Sequence, residues 1–307
     1  MNNYLKLKAQ HIFTKISMYK WMKNPQFCKA VEIETINRCN GTCSFCPVNR
    51  RDDPRQLEKM SDDLLQRILL DLHAHNYAGF LGLQSNNEPL LDKNIVKRIA
   101  LAREMCLHAH LYMYTNGVLL TFDMLTALFD AGLDSMVIDN YSENLQLHPH
   151  IESIAQKLKE ARYSSLQNKI KISIMSPKAI RSNRGGQAPN KQGSEFEDYL
   201  RYKKMGCILP FEQLVIRPKG EISLCCQDAL GRYTLGDMRK MTLDEIWYGE
   251  PFTKVRYALL EKGRQSLNLC KRCDGPAISR TYAFEMLRHL LPWYRNKNKF
   301  ALSKYDA

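Results

Sequence analysis

The sequence predicts an α/β fold built on a parallel sheet, and three observations predict it. Short apolar runs alternate with helix-patterned segments from residue 30 to residue 175, the rhythm of repeated βαβ units with right-handed crossovers. Polar loops rich in Asn, Gly, Ser and Pro follow those runs, where parallel β/α architectures gather their ligand sites. Most of the ten cysteines fall into two closely spaced sets, a pattern of metal sites rather than of a secreted disulfide framework.

Taken in order, residues 1–29 carry Leu5, Ala9, Ile12, Phe13 and Ile16 at near-helical spacing, with Lys6, Lys8, Lys15, Lys20 and Lys23 among them. This basic amphipathic segment is expected to pack on the main domain or to meet a membrane surface or an acidic partner. Cys28 fits neither cysteine set and reads as a buried thiol. Residues 30–36 read as the first strand. Ser61 is a natural N-cap for a helix through residue 73. A second strand is expected over 78–84, a helix over 92–105 and a third strand over 108–114. A helix over 121–131, a strand over 135–138, a helix over 150–163 and a strand over 169–175 follow. Residues 177–195 have no apolar period and are rich in Gly, Asn and Arg; such a loop is expected over the mouth of the fold. Pro218-Lys219-Gly220 marks a hairpin between two strands within 211–224. Residues 279–291 read as a helix, followed by a basic tail with interleaved aromatics.

The cysteine sets carry the chemistry. Cys39, Cys43 and Cys46 share one loop after the first strand. A cubane [4Fe–4S] cluster normally takes four cysteines, one per iron. Three leave one iron open to an outside ligand, and open positions mark sites that do chemistry. A zinc site or reduced core cysteines are the other readings of this loop. The second set is Cys207, the pair Cys225-Cys226, and Cys270-Lys271-Arg272-Cys273. Taken alone it suits a four-thiolate zinc site or a cluster.

Cys39-x3-Cys43-x-Phe45-Cys46 resembles the signature of the radical S-adenosylmethionine (SAM) enzymes. The resemblance implies a partial (β/α)6 barrel, open on one side. It implies a [4Fe–4S] cluster on Cys39, Cys43 and Cys46, whose open iron is chelated by SAM. Reductive cleavage of SAM then gives a 5′-deoxyadenosyl radical that takes hydrogen from substrate. Phe45 would pack near the adenine. Asn86-Asn87-Glu88-Pro89 stands where the family commonly has Gly-Gly-Glu-Pro, so Glu88 would accept from the SAM ammonium, with Asn86 and Asn87 in the glycine places. Thr115-Asn116-Gly117 is similar to a family turn, which puts Asn116 in the cofactor pocket, and Asp139 would reach the ribose. Asn183-Arg184-Gly185-Gly186 resembles a segment of related enzymes from sugar and natural-product clusters; Arg181 or Arg184 would hold an anionic or hydroxylated substrate.

Residues 217–226, Leu235-Gly236-Asp237, Leu243-Asp244-Glu245-Ile246-Trp247 and Cys270-x2-Cys273 together resemble the SPASM/twitch extension. Its implication is a small α+β iron–sulfur extension with one auxiliary [4Fe–4S] cluster, since only four ligand positions can be filled. Cys207, Cys225, Cys270 and Cys273 fit best, and Cys226 is the rival of Cys225. The expected organisation is a basic segment over 1–29, a radical SAM core over 30–200, the cluster domain over 201–280 and a basic helix and tail over 281–307.

The function expected is an oxidoreductase that dehydrogenates or rearranges a sugar, cyclitol or nucleotide-linked metabolite. The alternatives are a maturase acting on a ribosomally made peptide and, from another class, a non-catalytic iron–sulfur or zinc protein. No residue is assigned as catalytic base. Lys and Arg outnumber Asp and Glu by 45 to 32, a net +13, which favours anionic partners in general, whether nucleic acid, a phosphorylated or nucleotide-linked substrate or an anionic membrane surface; the partner expected is a small-molecule substrate, anionic in the reading of this charge. Nucleic acid is not expected. A reducing partner such as flavodoxin or ferredoxin is, and the basic termini suit a peripheral membrane contact. No secretion signal and no run of roughly 18 apolar residues is present, so a cytoplasmic location is expected.

Overall fold

The computed structural model describes residues 3–191 and 205–275. The helix and tail expected beyond residue 279, and the end of the 177–195 loop, lie outside the described residues. The elements are α1 (Asn3–Lys23), β1 (Ala30–Ile33), α2 (Asp62–Ala74), β2 (Phe80–Gly82), α3 (Ile95–Met105), β3 (His110–Thr115), α4 (Phe122–Asp130), β4 (Ser135–Tyr141), α5 (Pro149–Lys157), α6 (Ser164–Gln167), β5 (Ile170–Met175), α7 (Leu209–Glu212), β6 (Gln213–Ile216), β7 (Ile222–Ser223), α8 (Leu243–Trp247) and α9 (Glu250–Lys262).

Local chemistry sets the helices. The Ser61 side chain accepts from Leu64 N at 3.3 Å and starts α2, satisfying one orphan donor of the first turn. Leu65, Ile68, Leu69 and Leu72 then form one buried stripe at helical spacing. Thr121 caps α4 in the same way, accepting from Met124 N at 3.1 Å. The helix expected over 150–163 is shorter than its pattern. It ends at Lys157, and Glu160 takes an extended backbone with φ −63° and ψ 138° before a new turn begins.

The sheet runs β5-β4-β3-β2-β1-β6-β7. All neighbours are parallel except the β6–β7 hairpin, which turns at the expected Pro218-Lys219-Gly220. β6 comes from beyond residue 205, yet it pairs with β1 and supplies a sixth parallel strand. One face of the sheet carries Val31, Ile33, Leu81, Leu111, Met113, Met136, Ile138, Leu214 and Ile216 into the apolar core beneath the helices. The other face places Glu32 beside Gly82, Gly82 beside Tyr112, and Tyr112 beside Ser135. A parallel strand covered on both faces reads as a continuous apolar run. These strands alternate instead, so their second face is kept for something polar.

α1 docks on the C-terminal part of the chain. Met18 is fully buried, and Trp21 meets Phe211 and Trp247 edge-on at 5.5 and 6.0 Å. The buried Arg256 guanidinium lies 4.1 Å from both indole rings, and its Nε donates to Pro210 O at 2.9 Å. Burial lowers the Arg256 pKa to about 9.

Candidate active site

The loop that follows β1 carries three cysteines and sets the sulfurs of two of them around one glycine. A Cβ added to Gly41 would stand 3.3 Å from Cys39 Sγ and 3.9 Å from Cys43 Sγ, so the space a side chain needs is the space between the thiols. Gly41 N donates to Cys39 Sγ at 3.3 Å. Asn116 Nδ2 lies 3.7 Å from the same sulfur and donates to Asn40 Oδ1 at 2.7 Å. The loop is pinned from outside by Ser44 N on Pro177 O at 2.9 Å and by Arg50 N on Gly41 O at 2.8 Å. Burial pushes the Cys39 and Cys43 thiols up to about 12, so their thiolates need a cationic centre to form. Among the described residues no three His, Cys, Asp or Glu side chains stand close enough to hold a single metal ion. One zinc ion needs all its sulfurs at about 2.3 Å from a common point; a thiolate set spread around a glycine suits a cluster of several irons.

The loop after β2 is tied to this one. Glu88 is buried, and its Oε1 accepts from Leu90 N at 3.1 Å and Thr115 Oγ1 at 2.7 Å. Its Oε2 accepts only from Asn116 N, at 2.7 Å, among the described residues. A carboxylate has about four acceptor positions, so one remains for an incoming donor. Neither Asn86 nor Asn87 takes the left-handed backbone that glycines would allow. Their side chains build the loop instead. Asn87 Oδ1 accepts from Ser85 N at 2.9 Å, and Asn86 Nδ2 donates to Cys226 O at 3.1 Å. Phe45 is buried 5.8 Å from the Tyr141 ring, with the Arg181 guanidinium 5.6 Å from its centroid. Asp139 accepts from the Ser173 hydroxyl.

The second cysteine set converges from three segments. After burial, what raises the Cys225 thiol is the proximity of Cys226, Cys207, Cys270 and Cys273. Cys226 differs: after burial its strongest neighbours are Glu32 and Arg184, and its sulfur lies 3.9 Å from Gln227 Nε2. Gly275 N donates to Cys273 Sγ at 3.3 Å, and Arg264 clamps the turn by donating to Cys273 O and Gly275 O at 3.0 and 2.8 Å.

The loop expected over the mouth is docked on this second set. Asn183 is fully buried; its N donates to Asp274 Oδ1 at 2.7 Å and its Nδ2 donates to Arg272 O at 2.6 Å. Arg184 has a left-handed φ of 51°, a strained backbone for a non-glycine residue and a pointer to function. Its Nη1 donates to Asn86 Oδ1 at 2.9 Å and Cys226 O at 3.0 Å. Arg184 thus joins the two cysteine regions, while Arg181 lies on Phe45.

Between these regions sits a carboxylate that the motifs did not single out. Glu32 accepts from Ser85 Oγ at 2.5 Å, Gln213 Nε2 at 2.8 Å and Tyr112 Oη at 3.2 Å. Burial raises its pKa against those bonds and the Arg184 charge. The alternation Ala30-Val31-Glu32-Ile33 in a parallel strand was the available signal.

A model of the radical SAM superfamily matches residues 33–142, and one of the SPASM iron–sulfur cluster-binding domain matches 207–274. The chain combines a radical SAM domain with a SPASM domain. Its radical SAM domain calls for a [4Fe–4S] cluster and SAM, and its SPASM domain for auxiliary iron–sulfur. A similar protein is the S-adenosyl-L-methionine-dependent 2-deoxy-scyllo-inosamine dehydrogenase of Niallia circulans, 25% identical over 252 residues that cover 81% of this chain and 93% of that one. Its type of reaction agrees with an oxidoreductase. The solved structure of BtrN in complex with AdoMet and 2-DOIA is similar with a TM-score of 0.70 and 24% identity, covering 82% of this chain and 95% of that one. The AdoMet-bound structure of anSMEcpe has a TM-score of 0.56 and 13% identity over 87% of this chain and 94% of its own. These likenesses show the partial-barrel fold of the radical SAM enzymes.

Proposed function

We propose that this chain dehydrogenates a hydroxylated ring of the cyclitol or sugar class, with an aminocyclitol as the first candidate. The observation that carries the reading is the polar cluster around Glu32. The Glu32 carboxylate is bonded by Ser85, Tyr112 and Gln213; the neighbouring Asn86 bonds Cys226 O and Arg184, whose charge acts on Glu32. Such a polar cluster suits ring hydroxyls and an ammonium. The similarity to a 2-deoxy-scyllo-inosamine dehydrogenase supports the same class.

Cys39, Cys43 and Cys46 hold the first cluster in this reading, with Glu88, Asn86, Asn87, Asn116, Phe45 and Asp139 around SAM. Glu88 Oε2 takes the ammonium at its open acceptor position. Cys207, Cys225, Cys270 and Cys273 hold one auxiliary cluster, and the turn of Cys226 toward Glu32 and Arg184 favours Cys225 as the ligand. When bound, these groups supply a 5′-deoxyadenosyl radical to take hydrogen and a sink for the second electron. Glu32 receives the hydroxyl proton: burial raises its pKa, which strengthens a carboxylate as a base. Arg184 orients the ring and Phe45 shields the adenine side from water.

A flavodoxin or ferredoxin in a reducing cytoplasm supplies the priming electron. No described helix is long and apolar enough to cross a membrane. α1 exposes Ile12, Ile16 and Tyr19 alongside Lys15, Lys20 and Lys23, which supports a peripheral contact with an anionic membrane.

The test is anaerobic incubation of the reconstituted enzyme with SAM, a reductant and 2-deoxy-scyllo-inosamine, then a panel of cyclitols and sugar alcohols. The reading expects one ketone per 5′-deoxyadenosine released. It also expects Glu32→Gln to keep its iron while losing ketone. A panel that never stimulates 5′-deoxyadenosine release overturns the substrate class.

A further inference from the structure

Beside the second cysteine set lies a cavity of about 340 Å³ walled by Arg232, Tyr233, Asn268, Leu269, Lys271 and Arg272. Three cations and no acid line it. Arg232, Lys271 and Arg272 are exposed, and none of them pairs with a carboxylate among the described residues. The walls are fixed rather than loose. The Asp228 carboxylate accepts from Arg232 N at 2.8 Å and Tyr233 N at 2.9 Å, and Tyr233 Oη accepts from Asn268 N at 3.1 Å. Asn183 Nδ2 holds Arg272 O. Lys271 and Arg272 are the two residues between Cys270 and Cys273, so the cavity is walled by the very turn that carries two of the four thiols.

We propose that this cationic cavity is the docking surface for an acidic one-electron carrier protein of the ferredoxin or flavodoxin type. The inference rests on the dehydrogenase reading. Removing two electrons and two protons from an alcohol uses one hydrogen atom taken by the radical, one proton taken by a base and one electron left over. That electron leaves the auxiliary site to the oxidised carrier, which gains one electron per encounter. A clustered positive surface accelerates such encounters about 10- to 1,000-fold at low salt. Charge complementarity also selects this occupant over the chain's own tail, because residues 276–307 carry six Lys and Arg against two acids and are repelled by the same three cations.

The experiment uses the full reconstituted chain, dithionite-reduced and freed of reductant, mixed with oxidised acidic ferredoxin. Rates of cluster oxidation are read by stopped flow, and affinity by titration calorimetry, across a salt series. The variants are Arg232→Glu, which is on a segment separate from the CxxC turn, and the triple reversal Arg232→Glu/Lys271→Glu/Arg272→Glu. The expected result is a rate falling at least about 10-fold at low salt in the triple variant, with a matching loss of affinity. Arg232→Glu should fall by less, and the wild-type salt dependence should flatten in both. Oxidation by a small uncharged quinone should stay the same. Unchanged ferredoxin rates and affinity overturn the proposal, as does an equal slowing with the quinone, which signals damage to the cluster. Increased cleavage of residues 276–307 by protease in the reversed variants, with unchanged ferredoxin rate, assigns the cavity to the tail and overturns it too. Failure of the dehydrogenase reading looks different: the wild-type chain then carries no second cluster, or makes no ketone while ferredoxin still binds.

Discussion

The two cysteine regions share one device and differ in almost everything else. In each, a glycine two residues after a cysteine points its N–H at that sulfur, at 3.3 Å for Gly41 on Cys39 and 3.3 Å for Gly275 on Cys273. The first region is local: its three thiols lie within a single loop, and the rest of the chain adds the Asn116 and Asn190 side chains and backbone pins. The second is assembled from Cys207, Cys225 and the Cys270–Cys273 turn, and it exists only once distant segments have met. Its supports are correspondingly heavy, with Arg264 on two carbonyls and Asn183 threading between Arg272 and Asp274. A short loop costs little entropy to close and leaves a side open; long loops cost more and repay it by enclosing what they hold.

That contrast is broken hardest by removing a local ligand. Cys46→Ala should abolish 5′-deoxyadenosine release, a loss of at least about 1,000-fold, while about four irons per chain remain, one cubane's worth. The pair Cys225→Ala and Cys226→Ala sharpens the assignment in the second region. The first should fall from about eight irons to about four and lose ketone formation while still cleaving SAM; the second should keep its iron. Equal iron loss in both refutes the choice of Cys225.

Asn183→Ala tests whether the second region depends on its distant clamp. It strands the Arg272 carbonyl and the Asp274 amide in buried surroundings, at about 1–3 kcal/mol each. Denaturant melts should show that loss, with the first cluster's iron unaffected. The smallest effect is a pH dependence. Glu34 accepts from Asn86 N at 2.7 Å beneath the first region, and burial pushes its carboxyl up to about 7 from an ordinary 4.5. The folded chain therefore holds this proton more tightly than the unfolded chain. Its contribution is full below pH 4.5 and is lost as the pH rises through about 7. Glu34→Gln should flatten the fall in unfolding free energy over that window, by at most about 1.4 kcal/mol per pH unit.

Much of this was legible in the chain because it is written locally. Ser61 and Thr121 announce their helices through side chains that reach three residues on. Pro218-Lys219-Gly220 announces its hairpin, and the cysteine spacings announce the iron chemistry. What was not legible depends on meetings across the sequence. The pattern 213–216 reads as a strand, but nothing in it names β1 as its partner. Glu32 looks like any strand carboxylate until Ser85, Tyr112 and Gln213 arrive from three other segments. Arg184 reads as a loop arginine, and nothing in its own segment announces that it meets Asn86 and the Cys226 carbonyl. Asn86 and Asn87 look like poor glycine substitutes, and their value lies in side-chain bonds that a glycine cannot make.

The pairing of β6 with β1 has a consequence for how the protein is made. The strand that leads into the cysteine loop is synthesised well before β6, its neighbour on one side, which is delivered only after residue 216 leaves the ribosome. Until then β1 presents an open edge of unpaired amides, a template for self-association, and a nascent chain is most exposed to aggregation at such an edge. A fragment ending near residue 205 would keep that edge permanently. Splitting the gene between its two cysteine regions should therefore yield insoluble material from the first half, and co-expression of both halves should recover soluble protein.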